Sequence, residues 1–453
     1  MPVYELPQDL LGKTQSHIIV YKSMIIGGGW SGLLCGMKLL NNKESNVIII
    51  EQSDENNRGG LLRSEIIDGF TFDVGGPHLI FSRNSEVLNS LVRIMGSNCV
   101  KLRRNNYVYY KEQFIEYPFE NGIYRLDVNE RIKFGTEMIK LNASRDHLNN
   151  WVPKTMIEWI EGMFGQHMGQ EYLIPYNEKI WKRDLNKMAA DWVFTPGRIP
   201  VPAVEDVVKM VAGLPTVGYK EQEYFFYPKV GGIQSLYESL KNETIANGAQ
   251  YIFDQRVKKI EQDQNGYYVV NGMHKANKIV STMPLPELLE AIASDNEYQG
   301  LIDQLDYNSV IIVGFAISKP TPNQTSVYIP DKDIIFHRYT WMSALIPPDN
   351  PDYSNLIVEI TTPEHELGDV NGIKIRVIND LLKMGIIEEE NQILLSRVWF
   401  NKYGYPIYTL NHNEVRNQVF KILENEGIES IGRWGSWHYW NTDMIYKKVF
   451  DIP

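Results

Sequence analysis

A glycine-rich turn near the beginning of the chain constrains its fold more than any other feature. The turn occupies residues 27–32 and reads GGGWSG. The apolar run Lys22–Ile26 before it predicts a strand, and the apolar stretch Leu33–Leu40 after it predicts a helix. Asn46–Ile50 is rich in β-branched residues and predicts a second, buried strand. The sequence therefore predicts a β-α-β unit in this part of the chain.

The spacing within this turn meets the physical needs of a dinucleotide site. Gly27 permits a tight turn, Gly29 lets the backbone approach a pyrophosphate, and Gly32 allows the helix to pack closely on the strand. The backbone amides of Trp30 and Ser31, at the start of the helix, would then face the phosphates. An incidental glycine-rich turn is the alternative interpretation, since such turns are common.

Glu51 follows the second strand, nineteen residues after the last glycine of the turn. A carboxylate at this position accepts hydrogen bonds from an adenosine ribose, and its charge disfavours a 2′-phosphate. The strand, the helix and the distant acid together favour a dinucleotide site over an incidental turn.

A second glycine pair after Glu51 distinguishes between dinucleotides. The residues around it are Arg58, Gly59, Gly60 and Leu61. A strand and a further glycine pair follow at Phe72–Gly76. This pattern resembles the amine-oxidase-like flavoproteins, and the resemblance implies FAD as the cofactor, with Gly76 beside it. The resemblance also implies that Arg58 faces the pyrophosphate and Val257 packs near the adenine; a surface arginine and a core valine are the alternatives.

Composition and charge exclude several classes of function. The net charge is −11 and no basic run occurs, so nucleic acid is not an expected partner. No apolar stretch reaches the roughly 18 residues that a membrane-spanning helix needs, and residues 1–22 carry no secretory signal pattern. Two cysteines, Cys35 and Cys99, are too few for a disulfide framework or a cysteine metal site. We therefore expect a cytoplasmic protein without a bound metal.

The pattern of predicted elements indicates an α/β fold: a Rossmann-type FAD-binding domain with an inserted helical region and an antiparallel β-sheet substrate domain. The expected ranges are 22–100, 215–300 and 400–453 for the discontinuous FAD-binding domain, 101–214 for a mainly helical substrate region, 301–399 for the sheet domain and 1–21 for an N-terminal extension. An Asn-Gly pair at 265–266 predicts a hairpin turn.

Several blocks outside the glycine pattern place histidine, tyrosine and arginine at distinctive spacings. The blocks are 75–82 (GGPHLIFS), 117–121 (YPFEN), 175–181 (PYNEKIW), 336–340 (FHRYT), 403–406 (YGYP) and 432–439 (GRWGSWHY). Together they resemble the UDP-galactopyranose mutases, especially the eukaryotic branch, over scattered blocks from about residue 24 to residue 445. The roles expected for individual residues of these blocks are implied by that resemblance.

The first two blocks concern the flavin and the nucleobase. His78 matches a histidine that lies near the flavin and responds to its redox state, although a structural histidine is the alternative. Tyr117 and Phe119 lie in the segment that holds uracil, and Glu120 stands where the family commonly has glutamine. A carboxylate cannot donate a hydrogen bond as an amide does, so the base remains open.

The third block concerns the substrate-side helix. Asn177 and Trp181 are four residues apart and share one helical face; a buried polar–aromatic pair is the alternative. The mutases carry a diphosphate-binding arginine shortly afterwards. Here Pro196 occupies the ungapped position, and Arg198 is a displaced candidate.

The fourth block carries the match to a second diphosphate arginine. Arg338 takes this position, with Tyr328 ten residues upstream. A buried arginine needs a partner, so a structural ion pair is the alternative. A tyrosine common in the family is Leu345 here.

The C-terminal blocks match the mutases without a gap. Tyr405 and Tyr439 correspond to tyrosines that contact the diphosphate, and Arg433 corresponds to an arginine beside the flavin. Asn441 and Thr442 occupy the turn that faces the cofactor.

The resemblance implies an isomerase for carbohydrate biosynthesis that interconverts the pyranose and furanose forms of a nucleotide sugar. Reduced FAD would act through its N5 atom as the nucleophile at the anomeric carbon, so an external reductant such as NAD(P)H is implied. The sugar is expected to differ from that of UDP-galactose, and the base is open. The alternative is an FAD-dependent oxidoreductase of the amine-oxidase or protoporphyrinogen-oxidase type. Self-association into a homo-oligomer is expected on the same resemblance.

Overall fold

The computed structural model describes residues 19–144, 152–194, 199, 201–216, 218 and 223–452 of the chain. Of the N-terminal extension expected over residues 1–21, residues 1–18 lie outside the described residues. Within the described ranges, no helix is long and apolar enough to cross a lipid bilayer.

The elements alternate between strands and helices along most of the chain. The strands are β1 (Val20–Ile26), β2 (Val47–Ile50), β3 (Ser64–Ile67), β4 (Phe70–Asp73), β5 (Cys99–Arg103), β6 (Tyr107–Tyr110), β7 (Gln113–Glu116), β8 (Tyr224–Pro228), β9 (Gln250–Ile252), β10 (Ile260–Gln262), β11 (Tyr268–Val270), β12 (His274–Ser281), β13 (Tyr307–Ile317), β14 (Ser326–Tyr328), β15 (Arg338–Trp341), β16 (Ser354–Thr362), β17 (Ile393–Pro406) and β18 (Ile428–Ser430). The helices are α1 (Trp30–Asn41), α2 (Ser85–Met95), α3 (Phe119–Gly122), α4 (Val128–Ser144), α5 (Met156–Phe164), α6 (Gln166–Met168), α7 (Ile174–Trp181), α8 (Val204–Val211), α9 (Gln234–Ala246), α10 (Leu285–Ile292), α11 (Gln299–Ile302), α12 (Val370–Lys383), α13 (His412–Asn425) and α14 (Thr442–Val449).

The first sheet contains the predicted β-α-β unit. Its strand order is β10-β11-β12-β1-β2-β9, and β18 pairs with β12. β1 runs parallel to both β2 and β12, so that Ile26 lies opposite Ile50 on one side and Ser281 on the other. All four residues of β2 are buried, as expected for a β-branched strand covered on both faces. The prediction of a Rossmann-type unit is confirmed, with α1 filling the crossover.

The second sheet has the order β17-β13-β16-β15-β14-β6-β7 and is antiparallel except where β14 pairs with β6. β13 lies between β17 and β16, and all eleven of its residues are buried. Two of its strands, β6 and β7, come from the region expected to be mainly helical, because β6 pairs with the open edge of β14. β17 continues the sheet to Pro406, into the range assigned to the FAD-binding domain.

The hairpin predicted at the Asn-Gly pair is also present. β10 and β11 pair antiparallel around it, and Gly266 adopts a positive φ of 81°. The helices α5 and α8 both pack on α4, which buries Phe134 and Met138. The helical region and the second sheet both contribute residues to the candidate site.

Candidate functional site

The glycine turn joins the end of β1 to the start of α1 at the carboxyl edge of the first sheet. A Cβ added at Gly32 would lie 1.8 Å from the carbonyl oxygen of Gly27, so glycine is required for the helix to pack against the turn. Gly27 itself has a φ of +96°. At Gly29, in contrast, no atom of the described residues, apart from Gly29 and its two chain neighbours, lies within 4 Å of the position that a Cβ would take. These residues therefore do not fill the space above Gly29, which is open to a ligand.

Glu51 binds this turn through two backbone donors. Its Oε2 accepts a hydrogen bond from the Gly28 amide at 2.7 Å, and its Oε1 accepts one from the Ser53 amide at 2.8 Å. A carboxylate has about four acceptor positions, so Glu51 retains capacity for ligand hydroxyl groups. This arrangement fits the ribose-binding role predicted from the sequence.

A cavity of about 350 Å³ lies against this turn, and we call it the glycine cavity. The predicted cofactor residues that line it are Gly27, Gly29, Trp30, Ser31, Glu51, Gly59, Gly60, Leu61, Val257, Arg433 and Thr442. The indole Nε1 of Trp30 donates to the carbonyl oxygen of Thr442 at 3.2 Å, which ties α1 to α14. Residues from widely separated stretches of sequence thus share one cavity.

Arg58 was expected to face the pyrophosphate, but it is not itself among the residues that line either of the two cavities at this site. Its Nε donates to Glu238 Oε1 at 2.7 Å, and Glu238 also binds Lys241 at 2.8 Å. Arg58 therefore belongs to a structural ion-pair group in which its guanidinium binds Glu238 on α9.

Arg63 lines the glycine cavity instead, although no sequence motif indicated it. Its Nε is buried and has no hydrogen-bond partner among the described residues. Its Nη1 makes a long contact of 3.5 Å with the Asn57 carbonyl oxygen. Burial lowers the pKa of this guanidinium. An arginine in the turn after a glycine pair belongs to no periodic pattern, so the direction of the Arg63 side chain could not be predicted from the sequence.

A second cavity of about 250 Å³ adjoins the first, and we call it the tyrosine cavity. The predicted residues that line it are Gly76, His78, Tyr117, Glu120, Asn177, Trp181, Tyr328, Arg338, Tyr405, Tyr439 and Asn441. The residues that line both cavities are Leu61, His78, Arg433 and Thr442. A ligand that extends from the glycine cavity across this shared wall would therefore face a second ligand in the tyrosine cavity.

Arg338 forms a bidentate ion pair in the wall of the tyrosine cavity. Its Nε and Nη2 donate to Glu359 Oε1 and Oε2 at 2.5 and 2.7 Å. Glu359 is only 1% exposed and also lines the cavity. β15 and β16 place the two residues directly opposite each other, and Tyr328 on β14 stands opposite Arg338 on the other side. Burial by itself lowers the pKa of Arg338, but the charge and the hydrogen bonds of Glu359, together with Tyr328 and Tyr405, outweigh burial, so the pKa is raised and the guanidinium stays charged.

Arg433 occupies the shared wall. Its Nη2 donates to the carbonyl oxygen of Gly404 at 2.5 Å, and its guanidinium carbon lies 4.4 Å from the ring centre of Tyr439 and 5.4 Å from that of Tyr405. The rings of Tyr405 and Tyr439 meet edge to face at 5.0 Å. Burial is the main cause that raises the pKa of Tyr405 well above its usual value, so its hydroxyl is a neutral donor.

His78 lies beside these groups and is neutral. Burial, with the nearby charges of Arg433 and Arg338, lowers its pKa to about 3. Its Nε2 is buried without a hydrogen-bond partner among the described residues. Because His78 lines both cavities, this nitrogen is available to a ligand at their boundary.

The aromatic residues of the tyrosine cavity form two groups. Tyr117 and Tyr328 stack at 4.6 Å with an angle of 20° between their rings, and Tyr176 meets Tyr328 edge to face at 5.8 Å. On the other side, the Trp181 indole donates to Asn177 Oδ1 at 3.2 Å across one turn of α7, as their spacing predicted.

One predicted substrate residue among those the structure describes, Phe119, does not line the cavity. Phe119 is fully buried and packs against Tyr110, Phe134 and Tyr172, because it faces the core side of the short helix α3. Arg198 lies outside the described residues. The cavity is also lined by residues for which no role was predicted from the sequence: Arg104, Asn106, Tyr176, Ser326, His337 and Glu359. They come from separated segments, and only the folded sheet and helices bring them together.

Comparison with known proteins identifies the family and the fold. The family model described as flavin containing amine oxidoreductase matches residues 30–424. Reduced UDP-galactopyranose mutase has a similar structure, with a TM-score of 0.82 at 22% identity over 95% of this chain and 93% of that chain. A putative protoporphyrinogen oxidase from Exiguobacterium sp. 255-15 gives a TM-score of 0.70 at 15% identity over 96% of this chain and 100% of that chain. An uncharacterized protein in the nifH2 3′ region of Methanothermococcus thermolithotrophicus is 38% identical over 96 residues, which are 21% of this chain and 78% of that protein.

The family match covers most of the chain, and a flavin fits the open space above Gly29, the Glu51 carboxylate and the buried Arg63 guanidinium. The fold class predicted from the sequence is confirmed, and it is the fold of UDP-galactopyranose mutase. This chain belongs to the family of flavin containing amine oxidoreductases.

Proposed function

We propose that this protein is a flavin-dependent nucleotide-sugar mutase that interconverts pyranose and furanose forms. FAD would occupy the glycine cavity, with its ribose at Glu51 and its pyrophosphate near Gly29 and Arg63. When bound and reduced by an external donor such as NAD(P)H, it would supply the nucleophile for the anomeric carbon.

The observation that carries the proposal is the set of polar donors in the tyrosine cavity. Three guanidinium groups line it, from Arg104, Arg338 and Arg433. The side chains of Tyr328, Tyr405 and Tyr439 line the same cavity and carry phenolic hydroxyls. Arginine and tyrosine donors together suit a diphosphate.

The side chains of this chain would act on the substrate by holding its leaving group. When the bond between the anomeric carbon and the diphosphate oxygen breaks, negative charge develops on the diphosphate, and Arg338 and the two tyrosines Tyr405 and Tyr439 would stabilise it. The same contacts would keep the diphosphate in place until it reattacks the anomeric carbon. The neutral His78 can accept or donate one hydrogen bond at the cavity boundary. No side chain is needed as a covalent nucleophile.

A second candidate is an oxidoreductase that uses oxidised flavin as a hydride acceptor. The family match and the likeness to a putative protoporphyrinogen oxidase favour it. The aromatic lining of the tyrosine cavity suits an apolar substrate as well. A cationic amine has no anionic group for three arginines in the substrate wall to bind, so this lining argues against an amine substrate. A porphyrinogen carries carboxylates that arginine can bind, so the experiment below has to separate that candidate from the mutase.

The experiment is a substrate panel followed by NMR. Dithionite-reduced protein is incubated with UDP-, CDP-, GDP- and ADP-linked pyranoses, and oxidised protein serves as the control. We expect a furanose product from at least one nucleotide sugar with the reduced protein only. If no sugar exchanges while an amine or a porphyrinogen reduces the bound flavin, the oxidoreductase is the correct function.

A further inference from the structure

The second glycine of the turn at residues 27–32 is not explained by a bound dinucleotide. In the Gly-x-Gly-x-x-Gly pattern its position is free to carry any residue, and Gly28 is not among the residues that line the glycine cavity. A Cβ added at Gly28 would nevertheless lie 1.8 Å from the hydroxyl oxygen of Tyr251 and 2.5 Å from its Cζ. It is therefore Tyr251 that requires a glycine at this position.

Two phenol hydroxyls bind the carbonyl oxygen of Gly28. Tyr251 donates to it at 2.5 Å and Tyr237 at 3.1 Å, and the two hydroxyl oxygens are 2.9 Å apart. Burial is the main cause that raises the pKa of both phenols, and the charge of Glu51 adds to it, so both hydroxyls remain neutral donors. Neither tyrosine is among the residues that line the glycine cavity or the tyrosine cavity. The carbonyl oxygen is thus bound by groups that do not face a ligand in either cavity.

The direction of this carbonyl determines the direction of the next amide. The Gly28 carbonyl and the Gly29 amide belong to one planar, trans peptide unit, in which C=O and N–H point in opposite directions. Because the carbonyl oxygen is held on the side of the two tyrosines, the Gly29 amide is directed to the other side. Gly29 lines the glycine cavity, so this amide is available to a ligand there.

The first sheet and helix α9 bring the phenols to the turn. β9 pairs in parallel with β2, which places Tyr251 opposite Ile49 and beside the strand that ends before Glu51. Tyr237 lies on α9, which packs on α1. Glu51 accepts the amide of Gly28 at 2.7 Å, so both backbone polar groups of this glycine are fixed by neighbouring side chains.

Tyr268 provides a matched comparison for a purely structural role. It lies on β11 of the same sheet, and its hydroxyl donates to the carbonyl oxygen of Glu426 at 2.7 Å. Like the two phenols at the turn, it is not among the residues that line either cavity. Its bond is of the same kind but lies away from the glycine turn.

We propose that Tyr237 and Tyr251 are positioning residues of the cofactor site, which hold the peptide between Gly28 and Gly29 so that the Gly29 amide is directed at the pyrophosphate of FAD. This role rests on the proposed place of FAD in the glycine cavity and is independent of the reaction in the tyrosine cavity. When one phenol is lost, the other still donates to the carbonyl oxygen. When both are lost, the peptide is free to rotate, and binding of FAD has to restore its orientation.

The test measures the Kd for FAD with flavin-free protein, by quenching of flavin fluorescence, for wild type, Tyr237→Phe, Tyr251→Phe and the double variant. Each single variant should raise the Kd about threefold or less and the double variant about 10-fold or more, because a carbonyl left without a donor costs more than one lost bond. Tyr268→Phe should lower the melting temperature and leave the Kd unchanged. A double variant with the wild-type Kd, whatever its melting temperature, would overturn the inference and leave the proposed function standing. Failure of the wild type to bind FAD would overturn both.

A steric rescue tests the same contact without preparing flavin-free protein. The rate at which FAD leaves the loaded protein is followed by the fluorescence of the released flavin. Gly28→Ala should release FAD faster than wild type, because its Cβ would meet the Tyr251 hydroxyl. Adding Tyr251→Val removes this clash and leaves the Cβ of Glu51, at 3.0 Å, as the next contact, so the double variant should release FAD more slowly than Gly28→Ala alone. Release that is equally fast or faster from the double variant would overturn the inference.

Discussion

Replacing Arg338 should affect stability as well as substrate binding, because the residue is one half of a buried ion pair. Glu359 is 1% exposed, and both of its oxygens bind Arg338. Removing one partner of such a pair leaves an uncompensated buried charge, at a cost of about 3–5 kcal/mol. Arg338→Ala should therefore destabilise the protein by this amount while the glycine cavity still binds flavin.

The size of the effect on thermal unfolding follows from chain length. Unfolding entropy is about 2 cal/mol/K per residue, or roughly 1 kcal/mol/K if the 453 residues unfold together. A loss of about 3–5 kcal/mol then lowers the melting temperature by about 3–5 °C. Arg338→Ala combined with Glu359→Gln removes the unpaired charge, so the double variant should regain most of this loss.

The matched control is the more exposed pair between Arg183 and Asp306, which are joined at 2.6 Å with 25% and 28% of their side chains exposed. Arg183→Ala should cost only about 0–1 kcal/mol. Calorimetric melting curves of wild type and the three variants, recorded with flavin bound, make the comparison. If Arg338→Ala is as stable as the double variant, or if Arg183→Ala is equally destabilising, the reasoning about the buried pair is refuted.

Three further predictions concern the glycine turn, the Arg63 guanidinium in the glycine cavity and Glu120. Gly32→Ala should prevent normal folding of the flavin-free protein, because the new Cβ would lie 1.8 Å from a carbonyl oxygen. Gly29→Ala should keep the circular dichroism spectrum of the wild type and weaken FAD binding. Equal effects of the two variants on folding would contradict this. Arg63→Gln should raise the Kd for FAD about 10-fold or more, since a charge-assisted hydrogen bond contributes about 1.5–3 kcal/mol. Arg58→Gln should leave the Kd nearly unchanged. Fluorescence titration of the apoprotein with FAD measures both values, and a larger increase in Kd for Arg58→Gln than for Arg63→Gln would show that the assignment is wrong. For Glu120 the folded-state pKa of about 8 exceeds the usual 4.5, so its contribution to stability is fully present below pH 4.5 and is lost as the pH rises towards 8. Wild type should lose about 3 kcal/mol between about pH 4.5 and 7 that Glu120→Gln retains, and parallel denaturant curves for the two proteins would argue against it.

The sequence was sufficient for features that depend on neighbouring residues. The turn at residues 27–32, the strand before it and the helix after it are encoded locally, and the acid Glu51 lies at the spacing that a β-α-β unit imposes. The pairing of Asn177 with Trp181 likewise follows from the four-residue repeat of a helix.

The sequence was insufficient where a contact depends on strand register or side-chain direction. Arg338 and Glu359 are 21 residues apart, and their contact arises only because β15 and β16 pair in one register. Phe119 and Glu120 are adjacent, yet Phe119 packs in the core and Glu120 lines the cavity. This difference could not be predicted, because the four residues of α3 are too few for a periodic signal. Burial also reversed an inference from residue type, since an acid that cannot donate when ionised becomes a donor when protonated in a buried position.

Cleavage of the bond between the anomeric carbon and the diphosphate is the central claim, and positional isotope exchange tests it most directly. A UDP-sugar carrying heavy oxygen in that bond is incubated with dithionite-reduced protein, and the label is followed by phosphorus NMR. We expect the label to spread to the non-bridging oxygens of the β-phosphate with the reduced protein and to stay in place with the oxidised protein. Failure of the label to move in any nucleotide sugar, while an amine or a porphyrinogen bleaches the oxidised flavin, would contradict the assignment.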